Sequence, residues 1–321
     1  MPISNTPLIF IDEAIRAGAD PRGLQDAARR GHVVRLRRGV YCPRAEWEAS
    51  DDRARHILRV RAVVARLTSP ALVAGRSAAA VLDLPILGDW PDVVTLLVPY
   101  RGGGTAEPGV IRTSAGWAPE HRVAVAGLHV TRLERTLLDL VRIGGLGAGV
   151  AAIDAALRAE RTSTEALHDF LRAWNPPQYA RRMARAILAS TPLSGSFGES
   201  LTRIALADLG YPTPMLQAEF DDGAGRMIVD FFWPVHGVVL EFDGRVKYER
   251  EEFSHGDPTG VLWREKQRED RLRRIVRRVV RATWEDVRSP ARLAELLDEA
   301  GLPRRHRFEP MDIRARVSFA R

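Results

Sequence analysis

The sequence predicts a multidomain α+β protein. Its parts are a small N-terminal winged helix-turn-helix, an α/β middle segment, and a C-terminal mixed sheet flanked by helices. Three observations predict this. The chain has 321 residues, more than one ordinary hydrophobic core organises. Its apolar residues recur at helical spacing near the N-terminus but form paired β-branched runs in the last third. A turn-rich break, Ala189-Ser-Thr-Pro-Leu-Ser-Gly-Ser-Phe197, separates the two regimes. The expected segments are 1–48, 49–190, 191–303 and a basic tail, 304–321.

The first segment carries its own punctuation. Ile11, Ala14 and Ile15 have helical spacing, and Gly18 stops that helix. Asp20-Pro21 is an N-cap and first-turn pair for a second helix, whose apolar face is Leu24, Ala27 and Ala28 and whose C-cap is Gly31. His32 to Tyr41 alternates like a hairpin turning at Arg37-Arg38-Gly39. Between Asp20 and Arg44 stand seven arginines and two aspartates, a local net of +5. Arg29 and Arg30 at the helix end, with Arg35, Arg37 and Arg38 on the wing, are the candidate phosphate contacts to DNA or RNA. A solvated basic face is the plainer alternative.

In the middle segment, Asp51–Leu67 and Ser77–Leu82 read as helices and Val93–Val98, Val110–Thr113 and Leu128–Thr131 as strands. Glu134–Val141 and Ala148–Arg158 read as helices, and Thr164 starts another. Arg101-Gly-Gly-Gly104 lacks the Gly-Lys-Ser/Thr ending of a phosphate loop and reads as a plain loop. His121, His129 and His168 are scattered, which points to structural or surface roles.

The last segment holds the chemistry. Residues 226–232 and 237–243 read as strands joined by the turn Pro234-Val-His-Gly237. A symmetric hairpin places Asp230 opposite Glu241, with Cβ atoms ~5 Å apart. Asp243, two residues on, shares that face. Carboxylates in apolar strands are costly unless a cation compensates them. Hard oxygen ligands suit Mg²⁺ or Mn²⁺, so Asp230, Glu241 and Asp243 are the candidate metal ligands. The alternative is a strand-end acidic cluster paired with arginines of the next helix. Ser196-Phe-Gly-Glu199 fits a capping box, or else Glu199 leans toward the same site. Lys247 just past the strand, and Lys266 on the helix Leu262–Arg274, are candidates to meet a scissile phosphate, which points to phosphodiester hydrolysis.

Composition agrees with a polyanionic partner. Net charge is +7, mostly through arginine, with 45% hydrophobic and 28% charged residues. The single Cys42 excludes an internal disulfide framework and a cysteine-based zinc finger. No stretch approaches the ~20 apolar residues of a membrane span, and the N-terminus lacks a basic region plus apolar core, so the expectation is a cytoplasmic protein without a membrane partner.

Residues 195–290 resemble the PD-(D/E)XK nuclease superfamily, in the branch similar to very-short-patch-repair endonucleases. The matching elements are Glu199, Asp230 in Val-Asp-Phe, Glu241-Phe-Asp-Gly244, Lys266-Gln-Arg-Glu-Asp-Arg-Leu272, and Val279-Val-Arg-Ala-Thr-Trp-Glu-Asp286. The resemblance implies Mg²⁺-dependent nucleic-acid hydrolysis, with Asp230 and Glu241 as ligands and Glu199 assisting. Asp243 stands where that family places its lysine, so Lys247 or Lys266 would have to supply the role.

The first ~170 residues resemble AbiEi-type antitoxins of type IV toxin–antitoxin systems, through Arg30–Tyr41, Ser77–Pro85 and Leu128–Asp139. That resemblance implies a winged helix-turn-helix repressing its own operon promoter, with a nucleotidyltransferase-like toxin as partner. It also leaves open a non-catalytic regulator whose nuclease fold is degenerate.

Overall fold

The structure, a computed structural model, describes residues 8–18, 20–99, 107–114, 116–244 and 258–304. Three sheets and twelve α-helices among them make a multidomain α+β protein. The chain divides into two compact units: Met1–Ala152 with Thr162–Ile187, and Ile153–Arg161 with Leu188–Arg321.

The first unit opens with β1 (Ile9–Phe10), α1 (Ile11–Arg16), α2 (Pro21–Arg29), β2 (Val33–Arg37), β3 (Val40–Pro43) and α3 (Arg44–Glu48). The sheet order is β1-β3-β2, a hairpin with one short extra strand. The Asp20 carboxylate accepts the Arg22 N–H at 2.9 Å and Pro21 sits in the first turn, so α2 starts on a proper cap. Gly39 closes the wing turn at φ +73, where a Cβ would lie 3.0 Å from Ile11.

There follow α4 (Asp52–Val64), β4 (Leu72–Val73), α5 (Gly75–Val81), β5 (Val94–Leu97), β6 (Val110–Thr113), β7 (Arg122–Val125) and β8 (Leu128–Thr131). They form a sheet of order β6-β5-β4-β8-β7. Its core joins Ile57, Val60 and Val63 of α4 to Leu96 and Val130 of the sheet. The fully buried His56 bonds the Pro91 carbonyl through Nδ1 at 2.7 Å and Ser77 Oγ through Nε2 at 2.9 Å, so this Ser–His contact is structural. His121 is likewise buried, against Arg135 at 3.0 Å.

Next come α6 (Leu133–Arg158), α7 (Thr164–Trp174) and α8 (Ala180–Ala189). The two helices expected across 134–158 are present, separated within α6 by Gly145, where φ is +82. The expectation that no stretch approaches membrane-span length needs correction here. α6 has 26 residues with an apolar window of mean hydropathy 1.6, and 61% of that window is buried inside the protein. Leu137, Leu138, Val141 and Val150 are core residues.

The second unit contains α9 (Phe197–Asp208), β9 (Met215–Asp221), β10 (Arg226–Trp233), β11 (Val238–Asp243), α10 (Pro258–Ile275), β12 (Arg278–Thr283), α11 (Trp284–Arg288) and α12 (Pro290–Glu299). The sheet order is β12-β11-β10-β9, antiparallel except for the parallel pair β11–β12. On one face Phe231, Trp233, Val238 and Leu240 pack against Leu206 of α9 and Leu293 and Leu297 of α12. On the other, Phe220, Val229, Phe232 and Val239 pack against Leu272 of α10.

Asp154 accepts the Thr191 N–H at 2.7 Å and the Arg203 guanidinium at 2.6 Å, with both charged side chains almost wholly buried. Breaking a buried pair strands the remaining charge. Asp154→Ala is therefore expected to cost about 3–5 kcal/mol of unfolding free energy, read by urea titration. A loss under ~1 kcal/mol, the range of exposed pairs, would contradict this role.

Candidate functional site

The site is built on an irregularity shared by two strands. Residues two apart in a regular strand share a face. In β10, however, Val229 packs on the α10 side and Phe231 on the α9 side. In β9, Ala218 packs on the α10 side and Leu216 on the α9 side. The ladder between these strands runs from Val229↔Ala218 to Phe231↔Leu216 and skips the residues between them, Asp230 and Gln217. Gln217 adopts φ +49, a left-handed conformation costly for a residue with a side chain.

The hairpin register is the expected one. Its last paired positions are Phe231↔Leu240, one step short of Asp230 facing Glu241. Where the ladder stops, Asp230 Oδ2 accepts the Phe242 N–H at 2.8 Å. The Gln217 amide donates to Glu199 Oε2 at 2.9 Å and spans 3.5 Å to Asp230 Oδ1. Gln217 thus links two carboxylates, a role that sequence reasoning missed because glutamine carries no turn signal.

Ser196 caps α9 by accepting the Glu199 N–H at 3.1 Å. The expected reciprocal half of the capping box is displaced by one residue. The Glu199 carboxylate takes the Gly195 N–H at 2.7 Å rather than that of Ser196, and the same oxygen receives Gln217. Glu199 is 9% exposed. Gly198 lets α9 meet β11, since a Cβ there would lie 1.9 Å from the Phe242 ring.

Glu241 has cations around it. Its Oε1 accepts Arg268 Nη2 at 2.6 Å, and Arg281 Nη2 lies 3.9 Å from Oε2. For Glu241, the arrangement is the alternative named above, a strand carboxylate paired with an arginine of the next helix. Lys266 is exposed. It stands two positions from Arg268, which on a helix means nearly opposite sides, so the helix brings Arg268 to Glu241 and not Lys266. Asp243 is half-buried and level with Thr283 of β12. Among the described residues no three acidic, His or Cys side chains converge as a metal-holding group. The joint convergence expected of Asp230, Glu241 and Asp243 is thus not present, because Phe242 and Arg268 take up Asp230 and Glu241. Lys247 lies outside the described residues.

Electrostatics single out Asp230. Burial, then the Glu199 and Glu241 charges, push its carboxyl up to about 6, against the pull of the Phe242 and Gln217 hydrogen bonds. Glu199 and Glu241 act on Asp230 through their charge and do not join it as a metal-holding group.

In the first unit, Arg29, Arg30, Arg35 and Arg38 are exposed. Arg29 pairs with Asp26 on its own helix. Arg37, expected to face phosphate, is instead half-buried and ion-paired with Glu107.

No family model matches this chain, and no curated protein does. Among solved structures it is similar to the crystal structure of the RV2827C protein from Mycobacterium tuberculosis, at 18% identity and a TM-score of 0.38, over 66% of this chain and 79% of that one.

The Asp230 shift has a stability consequence. Its folded value, about 6, exceeds its ordinary 3.8, so the stability it contributes is present below pH 4 and lost as pH rises through about 6. Asp230→Asn is expected to be more stable than wild type at pH 7 by on the order of 2 kcal/mol. The gain should vanish below about pH 4, as read by urea unfolding at both pH values. An equal gain at both would exclude carboxyl titration as the cause.

Proposed function

We propose that the chain is a DNA-binding protein whose second unit is a Mg²⁺- or Mn²⁺-dependent endonuclease. The observation that carries this is the link of Glu199 to Asp230 through Gln217 at the break in β9 and β10, with Glu241 one position beyond the last β10–β11 pair. The element order helix, three strands, helix, strand from α9 to β12 supports the resemblance to PD-(D/E)XK nucleases.

Asp230 would hold the cation, and Glu241 would join it only once Arg268 releases it. A cation there supplies Lewis acidity and a more acidic bound water. Gln217, itself held by Glu199, fixes the Asp230 carboxylate from one side and the Phe242 amide fixes it from the other. Arg268 would exchange Glu241 for the substrate phosphate, which its planar fork suits, and stabilise charge growing there. In the first unit, Arg30, Arg35 and Arg38 offer exposed guanidinia to the DNA backbone.

One observation favours a second reading. Arg268 already neutralises Glu241, as in a fold that has kept its acidic pair without using it. The chain would then be a non-catalytic, AbiEi-like antitoxin and repressor, acting on its own promoter with a nucleotidyltransferase-like toxin.

Plasmid nicking separates the two. Wild type with Mg²⁺ or Mn²⁺ is expected to cleave, and Asp230→Ala and Glu241→Ala to lose at least ~100-fold. Wild-type protein that cleaves no offered DNA or RNA above the level of these variants leaves only the repressor reading. Changing Arg35 and Arg38 together to Ala should weaken duplex binding and lower the salt slope by about two. Arg37→Ala alone should do less, and an unchanged slope in the double variant sinks the wing assignment.

A further inference from the structure

Beneath the wing of the first unit lies a cavity of about 120 Å³ whose charged lining is Arg37, Arg66, Arg112 and a single carboxylate, Glu107. Glu107 bridges two of the guanidinia, pairing with Arg37 through Oε1 and with Arg112 Nη2 at 2.7 Å through Oε2. Arg66 pairs with Asp12 and reaches the Gly39 carbonyl at 3.3 Å. Counting Asp12, three guanidinia face two carboxylates. Yet two buried donors in this lining, Arg66 Nε and Arg112 Nη1, have no hydrogen-bond acceptor. Buried donors without acceptors are costly, and a missing ion is one standard reason for them. Guanidinium forks match tetrahedral oxyanions, and the cavity has room for one.

We propose that this cavity is a binding site for a single phosphate group, with Arg66 and Arg112 as its donors and Glu107 as its internal competitor. The site lies in the first unit and does not depend on the hydrolase reading. The phosphate comes either from a free phosphoryl compound or from a nucleic-acid backbone seated by the wing.

Inorganic phosphate titrated into the full chain by calorimetry, at fixed ionic strength with chloride as reference, tests this. The expected result is one saturable site per chain. Arg112→Met should weaken it at least tenfold, and Glu107→Gln should strengthen it severalfold by removing the competing carboxylate. Should Arg112→Met fail to fold by circular dichroism, Arg112→Lys keeps the charge, loses the fork, and should also weaken binding. Heat no greater than that of chloride, or wild-type affinity in the folded Arg112 variant, overturns the proposal. A duplex titration with and without saturating phosphate then identifies the source. Competition, with a salt slope lower by about one in the Arg112 variant, assigns a backbone phosphate. Duplex binding indifferent to phosphate assigns a free phosphoryl compound.

Discussion

Asp230 stands where the β10–β11 ladder ends, and its carboxylate takes the Phe242 amide. This hydrogen bond keeps the two strands together past their last paired residues and holds a charge in a half-buried place. Its consequences spread outward. With the ladder to β9 interrupted, β10 sends Val229 to one core and Phe231 to the other. Gln217 leaves regular strand geometry opposite it, and its freed amide ties Asp230 to Glu199. A strained glutamine persists only where its surroundings fix it, and such strain collects at functional positions.

Charge compensation explains why this arrangement survives without unfolding the sheet. Glu199 and Asp230 each take a backbone N–H and share the Gln217 amide, while Glu241 takes a guanidinium. The least compensated is Asp230, and it is the one whose carboxyl rises to about 6. A cation entering here would stabilise Asp230 most while competing with Arg268 for Glu241.

Much of this was legible from local pattern. Pro234 to Gly237 fixed the hairpin centre, and the register followed by counting. Val110–Thr113 and Leu128–Thr131 appear with the expected bounds, because β-branched runs between glycines and polar turns signal strands directly. What stayed hidden depends on three-dimensional phase or distance. β7 exposes three of its four residues, so it shows no alternation. Arg268 rather than Lys266 meets Glu241 because α10 turns Leu272 inward, and its many charged residues hide that phase. The Asp154–Arg203 pair joins residues 49 positions apart. Gly198 reads as an ordinary helix residue until Phe242 is seen against it.

Charge counting has the same limit at the wing. The +5 between Asp20 and Arg44 describes the segment and not the charge it presents. Glu107, 70 residues from Arg37, takes that guanidinium out of circulation, while Asp26 and Glu48 hold Arg29 and Arg44. Exposed pairs such as Arg29–Asp26 are weak, and salt or a polyanion readily replaces them. The half-buried Arg37–Glu107 pair is screened less and exchanges only for an anion that reaches the cavity. Availability, set by where each carboxylate partner sits, therefore ranks these arginines more sharply than their number does.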